Sequence, residues 1–319
     1  MLRYIFRRIL WVIPVLILVT FIVYALLDLA PGSVVDKMIS DQMTQEDVAA
    51  LLIKYDLDKP MVYRYGKFIV GVFTGDLGNS MVTGESVWTT YITRWPMTLK
   101  LTLAALAFAV VLGISLGIFA AMSAGTILDN MTTAFSLVGL AMPGFWLGLL
   151  LLIWFSLRLK ILPTAYDGTW RSYVLPVLAM GVMLTASITR QTRSAILEIV
   201  KLDYTRTARA KGVPEHQIML NHVLRNAWIP IITQIGMMLG ITLAGSAVIE
   251  SVYTWPGVGT LMVTAIGNRD TVMACGCVTL TCAVYVILLL IVDLIYALVD
   301  PRIKAQYSPR IKKRRRVAV

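Results

Sequence analysis

Charge is what this sequence has least of. Only 15% of its 319 residues are Asp, Glu, Lys or Arg, against about a quarter in an average soluble domain. Acids are the scarcer sign, 18 against 29 bases. Disorder is excluded, because a disordered chain is poor in apolar residues and here 58% are hydrophobic. Cys275, Cys277 and Cys282 are too few and too clustered for a disulfide scaffold. The two histidines, His216 and His222, stand six apart, a poor ligand spacing on a helix, and no H-E-x-x-H or paired C-x-x-C adds a metal site. A G-x-x-x-x-G-K-[ST] phosphate loop and a G-x-S-x-G elbow are also missing. The chain is therefore not expected to be an enzyme or to hydrolyse ATP.

What is present is a set of long uncharged runs. A bilayer core of about 30 Å needs about 20 apolar residues in a helix. Six stretches meet or approach this: Ile9–Leu27, Leu101–Leu128, Asn130–Leu157, Ser172–Thr189, Asn226–Ile249 and Thr271–Val292. The alternating ten-residue segments of a barrel are lacking. The expected class is an all-α polytopic membrane protein with six transmembrane helices. Arg3, Arg7 and Arg8 precede the first run as in a secretory signal, but its nineteen uncharged residues exceed the usual apolar region of about 7–15. An uncleaved signal-anchor helix is expected.

Placement of Lys and Arg gives orientation. With the N-terminus inside, the inner segments carry those three arginines. They also carry Arg190, Arg193, Lys201, Arg206, Arg209, Lys211 and Arg225, and eight cations from Arg302 to Arg316. Residues 31–100 hold seven cations and eight acids and are nearly neutral. Both termini are expected in the cytoplasm. The short inner loop around Asp129 has no cation and departs from the rule.

Four parts follow. Residues 1–30 form the first membrane helix, and 31–95 an external segment with short helices. Residues 96–300 form a core of five membrane helices with a cytoplasmic loop at 190–225, and 301–319 a basic tail. In the external segment, Thr44 with Gln45, Glu46 and Asp47 marks a helix start. Val48, Leu51, Leu52 and Tyr55 give it one apolar face. Asp58-Lys59-Pro60 breaks it, Tyr63 to Phe73 reads as a second helix, and Gly75 to Ser80 as a turn. Either a lid on the helix ends or a docking surface fits this pattern. In the loop, Gly212 stops one helix and Val213-Pro214-Glu215 starts another, with proline early, where its missing N–H costs little. A purely topogenic loop needs no such elbow; an interfacial basic helix on anionic lipid is the simpler rival. The run Arg310–Arg316 reads as a lipid-facing cluster, and nucleic-acid binding is not expected, since no folded domain or aromatic platform accompanies it.

Ion-coupled transport leaves ionisable groups deep in the spans. Here Asp28, Lys100 and Glu250 sit at span ends, where water is expected to reach them, and Asp293 lies near the inner interface with a structural role, pairing with an arginine. No arginine ladder or selectivity-filter loop appears. Power is expected to enter through a partner at the elbow.

The segment Asp203-Tyr204-Thr205-Arg206-Thr207-Ala208-Arg209-Ala210-Lys211-Gly212, followed by Leu224-Arg225-Asn226-Ala227 and Pro230, resembles the coupling segment of ABC importer permeases. More narrowly it is similar to the first of the two permeases of dipeptide, oligopeptide and nickel importers. Supporting matches are Met1-Leu2-Arg3-Tyr4 with Arg7-Arg8, Leu29-Ala30-Pro31-Gly32, Gly75-Asp76-Leu77-Gly78 and Pro143-Gly144-Phe145-Trp146-Leu147-Gly148. Trp255-Pro256-Gly257-Val258-Gly259, Asn268-Arg269-Asp270 and Asp300-Pro301-Arg302-Ile303 complete the series. The general signature has Glu-Ala-Ala six residues before the glycine; here Arg206, Thr207 and Ala208 stand there, and the later Ile-x-Leu-Pro is His222-Val223-Leu224-Arg225.

The resemblance implies a type I importer permease in a bacterial or archaeal cytoplasmic membrane. Its partners would be a second permease, one or two ATPase subunits that use the ATP and Mg, and an external solute-binding protein, with no cofactor on this chain. It implies a coupling helix at about Val213–His222, with ATPase contacts through Arg206, Thr207, Ala208, Lys211, Gly212, Val213, Pro214, Glu215 and His216. Trp255, Pro256, Gly257 and Gly259, with Asn268, Arg269 and Asp270, would lie near the outer mouth. Nickel or a metal chelate is the alternative cargo; a receptor or scaffold that recruits a cytoplasmic partner, or an ion channel, are readings from other classes.

Overall fold

The computed structural model describes residues 2–32, 34–35 and 45–299, and the side chains of most of them. Thr44, the motif at 300–303 and the basic tail lie outside the described residues. The side chains of Arg3, Arg7, Arg8, Asp47 and Asp293 are likewise not described.

Among the described residues helices are the only regular elements, joined by turns and loops that include one bridge between Asn79 and Ser86. Helix α1 (Leu2–Leu29) is followed by α2 (Gln45–Lys54) and α3 (Met61–Thr74). Next come α4 (Val87–Met122), α5 (Ile127–Ala141) and α6 (Gly144–Leu151), which runs on as a π-helical turn, Leu152–Arg158. Helix α7 (Arg171–Ile199) leads to α8 (Asp203–Ala210) and α9 (Glu215–Gln217); a second π-helical turn, Ile218–Leu224, joins α9 to α10 (Arg225–Val252). Helices α11 (Val258–Gly267) and α12 (Thr271–Val299) close the described chain.

Among the described residues five helical stretches are long and apolar enough to cross a membrane, or six where the bent pair Ile127–Ala141 and Gly144–Arg158 counts as one span. That pair corrects the expectation of a continuous span over Asn130–Leu157: α5 and the α6 segment meet at 97°. Pro143 has no N–H to continue the helix and disfavours helical geometry at Met142, which is extended at φ −80°, ψ 123°. The second span also starts earlier than its charges suggest, because Arg94 and Lys100 lie within α4.

The tightest pairing is α4 along α7, with α10 beside both. Their shared core holds Leu101, Ala105, Leu175, Ile188, Ile249, Tyr253 and Trp255. A second core joins α1, α11 and α12 around Tyr24, Tyr91, Val258 and Met273. The expected apolar face of α2 is real: Val48, Leu51, Leu52 and Tyr55 pack on Val34, Val35 and Met81. The uncompensated Asp129 acquires a partner across the fold. Arg193 of α7 reaches it in a bidentate pair, Nε–Oδ1 2.6 Å and Nη2–Oδ2 2.8 Å, and Gly125 N–H adds a third donor at 2.9 Å.

Candidate functional site

The elbow is a packed structure with one exposed side. Helix α8 buries Thr205 and Ala208 and leaves Arg206, Thr207 and Arg209 in solvent. It ends because Gly212 turns left-handed at φ +77°, a conformation that glycine adopts without the Cβ clash other residues meet. The Gly212 and Val213 N–H groups then donate to the carbonyls of Arg209 and Ala208. Pro214 is extended, and Glu215 opens the next helix. Across the turn, Arg209 grips Glu215 with Nε–Oε2 at 3.0 Å and Nη2–Oε1 at 2.5 Å. Both side chains are exposed, and the hydrogen bond from Arg209 holds the Glu215 carboxyl below its usual range.

Under that surface, Ile218 and Val223 are fully buried against Ala195, Ile196, Ala208, Ala227, Ile231 and Ala121. Asn226 Nδ2 donates to Tyr204 Oη at 3.0 Å, tying α10 to α8. The expected coupling helix at Val213–His222 thus begins two residues later, at Glu215. It has no break before the membrane: Glu215 to Val252 is one helical course, with the π-helical turn absorbing the junction. Nothing from 215 to 229 is glycine or proline. Of the expected contact residues, Arg206, Thr207, Lys211, Gly212, Pro214, Glu215 and His216 are exposed; Val213 is half-buried and Ala208 is buried.

At the other end of that course lies a buried turn. Glu250 is fully buried, which corrects the expectation of a water-accessible span end. Its Oε2 accepts from the Gly259 N–H at 2.7 Å and the Thr260 N–H at 3.2 Å, both in the first turn of α11, where backbone N–H groups have no partner within the helix. The turn closes so tightly that only glycine fits. A Cβ on Gly257 would lie 2.5 Å from Thr98 Oγ1 and 2.6 Å from Glu250 Cδ; one on Gly259 would overlap Ala247 Cα. Thr98 Oγ1 accepts the Val258 N–H at 2.8 Å. Trp255 is fully buried, donates from Nε1 to the Met97 carbonyl at 3.1 Å, and meets the rings of Tyr166 and Tyr173 edge-on at 4.6 Å each. Tyr253 Oη donates to the carbonyl of Gly148 at 2.8 Å, linking this turn to the Pro143–Gly148 motif. The bent segment, with Pro256 half-buried, is thus lined by protein, the condition under which irregular backbone is tolerated at membrane depth.

Asn268, Arg269 and Asp270 form a second knot. Arg269 is left-handed at φ +60°, and its guanidinium donates to the Pro31 carbonyl at 2.9 Å. Asp270 is buried; Oδ1 caps α12 through the Met273 N–H, and Oδ2 accepts from Ser80 Oγ at 2.5 Å. Asn268 is half-buried beside them. Three motifs far apart in sequence, at 29–32, 75–80 and 268–270, therefore meet at one place. Glu250, Thr98, Ser80 and the Asp129–Arg193 pair were missed by sequence reasoning. The one available signal was Glu250 standing as the sole acid between Glu215 and Asp270. Among the described residues no group of three His, Cys, Asp or Glu is placed to hold a metal.

Residues 113–305 match the family described as binding-protein-dependent transport system inner membrane component, and residues 1–102 match its N-terminal companion. The di/tripeptide transport system permease protein DppB of Pseudomonas aeruginosa (strain UCBPP-PA14) is 35% identical over 335 residues, covering 96% of this chain and 100% of its own. The dipeptide transport system permease protein DppB of Escherichia coli (strain K12) is 34% identical, covering 95% and 99%. The glutathione transport system permease protein GsiC of Salmonella paratyphi A (strain ATCC 9150 / SARB42) is 35% identical over 304 residues, covering 95% and 99%. A chain of the inward-facing MetNI methionine ABC transporter superimposes with a TM-score of 0.54 at 17% identity, over 67% of this chain and 97% of that one. A chain of an amino acid ABC transporter gives 0.52 at 19%, over 67% and 94%. These structures identify the fold as that of type I ABC importer permeases.

Proposed function

We propose that this chain, which belongs to the family of binding-protein-dependent transport system inner membrane components and is a multi-pass protein of the cytoplasmic membrane, is the permease subunit of an ATP-driven importer of di- or oligopeptides. The peptide cargo follows the relatives, whose names specify di/tripeptides, dipeptides and glutathione. In this reading a second permease completes the path, one or two separate ATPases use ATP and Mg, and an external solute-binding protein delivers the peptide. The termini and the elbow face the cytoplasm, as the cation bias favours.

The observation that carries the coupling mechanism is the unbroken helical course from Glu215 to Val252. At 1.5 Å per residue it spans about 57 Å, longer than the bilayer core. Its inner end bears the exposed elbow surface of Arg206, Thr207, Lys211, Gly212, Pro214, Glu215 and His216. Its outer end carries Glu250, bonded to the first turn of α11. Closure of the ATPases presses on the elbow. The Arg209–Glu215 pair and the Ile218–Val223 core keep α8 and the long helix together, so the push is delivered as a movement of the whole rod. The turn at Trp255–Gly259 and the knot at Asn268–Asp270 hold the frame of the outer mouth against which the rod moves. The chain is a transport subunit and performs no chemistry of its own.

The test is uptake by liposomes containing the assembled complex, supplied with binding protein, ATP and a labelled dipeptide. ATP-dependent accumulation is expected. Uptake of a nickel chelate but no peptide would reassign the cargo. Ion conductance by this chain alone, or copurification with a signalling kinase in place of an ATPase and a second permease, would overturn the importer reading.

A further inference from the structure

Helix α3 carries more apolar surface than its packing uses. Met61, Tyr65, Phe68 and Val72 turn toward α1 and α12. On the opposite side, Val62, Tyr63, Gly66, Val70 and Phe73 are exposed, with Ile69 half-buried among them. Val62 is 72% exposed, Val70 63% and Phe73 61%. At 100° per residue these six positions cover an arc of about 120°, the width of a complete apolar stripe, and none is charged. The two cations of the helix lie off that arc and are paired: Arg64 with Asp28 at 2.5 Å and Lys67 with Asp56 at 2.5 Å.

The depth of the helix is fixed by Tyr65. Its hydroxyl donates to the Ile17 carbonyl at 2.7 Å and lies 3.1 Å from Thr20 Oγ1. Ile17 is twelve residues inside the outer end of α1 at Leu29, about 18 Å along the axis, well within a hydrocarbon core of about 30 Å. A hydroxyl at that depth needs a partner, and it has one. The ring of Tyr65 also touches Phe21, with centroids 5.2 Å apart. Phe21 is 40% exposed and belongs to the bare apolar surface of α1 that includes Leu18, Ile22 and Leu26. The free stripe of α3 is thus continuous with a surface that a membrane-crossing helix presents to lipid.

We propose that α3 is seated in the bilayer rather than held above it, with Val62, Ile69, Val70 and Phe73 against the acyl chains of the leaflet at the Asp28 end of α1. The charged edge then lies at the headgroups, with Arg64 and Lys67 neutralised by Asp28 and Asp56. The outer segment between the first two spans becomes a membrane-anchored collar, and the site does not depend on which cargo is carried.

The experiment places an environment-sensitive fluorophore on Val70→Cys, and separately on Lys67→Cys, in the assembled complex with other reactive cysteines replaced, reconstituted in vesicles. Bromine-bearing phospholipids and aqueous iodide serve as quenchers. Expected is blue-shifted emission at position 70, at least twofold stronger quenching by the brominated lipid than at position 67, and severalfold weaker quenching by iodide. Equal iodide quenching at the two positions would overturn the proposal in favour of a water-exposed face. Shielding from both quenchers, or lipid-independent shielding that develops only when the binding protein is added, would overturn it in favour of a protein partner. Phe73→Cys repeats the measurement if Val70→Cys does not assemble.

Discussion

Replacing Gly259 by alanine probes the buried turn with one methyl group. The added Cβ would overlap Ala247 Cα and lie 2.8 Å from both Ala247 Cβ and Glu250 Oε2, about 1 Å inside ordinary contact. A backbone atom on a packed helix has no rotamer to escape by, so α10 and α11 must separate. Overpacking of this kind costs about 1–3 kcal/mol. The same separation stretches the two N–H bonds to the buried Glu250 side chain, and weakening them adds about 0.5–1.5 kcal/mol. Gly267, eight residues along the same helix, has nothing within 4 Å of its would-be Cβ, so Gly267→Ala is expected to be neutral or to gain up to about 1 kcal/mol from helix propensity. In thermal unfolding of the lipid-embedded complex, at about 2–4 °C per kcal/mol, Gly259→Ala should unfold on the order of 10 °C below Gly267→Ala. Coincident midpoints would refute the reading of this turn as a clasp around Glu250.

The other predictions concern pairs seen only once the chain is folded. Arg193→Ala leaves Asp129 buried without its charge partner and should cost about 3 kcal/mol in the same assay, the low end for a broken buried pair because Arg193 is itself partly exposed; Asp129→Leu with Arg193→Met should recover much of the loss. Trp255→Phe keeps the ring contacts but removes the bond to the Met97 carbonyl, at about 1–3 kcal/mol. Arg209→Glu should alter stability by under about 1 kcal/mol, since the pair is exposed, yet reduce uptake per ATP hydrolysed, and Glu215→Arg in the same chain should restore it. Because Arg209 holds the Glu215 carboxyl down, its small contribution is present above the ordinary carboxylate range and is lost as pH falls through the folded value. Wild type and Arg209→Gln should therefore converge in stability at acid pH.

Local features were readable from the sequence because local chemistry decides them. Gly212 followed by Pro214 marks a stop and a start, and the structure turns there; the spacing of Val48, Leu51, Leu52 and Tyr55 gives the packed face of α2. Pro60 likewise separates α2 from α3. Features that depend on distant backbone were not readable. Glu250 reads as accessible because its neighbours in sequence end a span, whereas its donors are the first N–H groups of α11, which folds back over it. Asp129 looked unpaired because its arginine is 64 residues away. The break at Pro143 was masked by apolar residues on both sides, for hydropathy records length and not direction. Helix α4 starts well before the uncharged run Leu101–Leu128 because charged residues such as Arg94 and Lys100, near the end of a long helix, reach the interface.

The most direct measurement is the ratio of peptide taken up to ATP hydrolysed in liposomes carrying Gly212→Val. Gly212 sits at φ +77° and Gly168, in the loop before α7, at φ +83°, and neither has an atom within 4 Å of a would-be Cβ. Valine imposes similar backbone strain at either place, so Gly168→Val controls for strain alone. If force enters through the elbow, Gly212→Val retains binding-protein-stimulated hydrolysis while uptake per ATP falls severalfold, and Gly168→Val keeps the wild-type ratio. An unchanged ratio in Gly212→Val would contradict the elbow as the point where ATPase motion reaches the membrane.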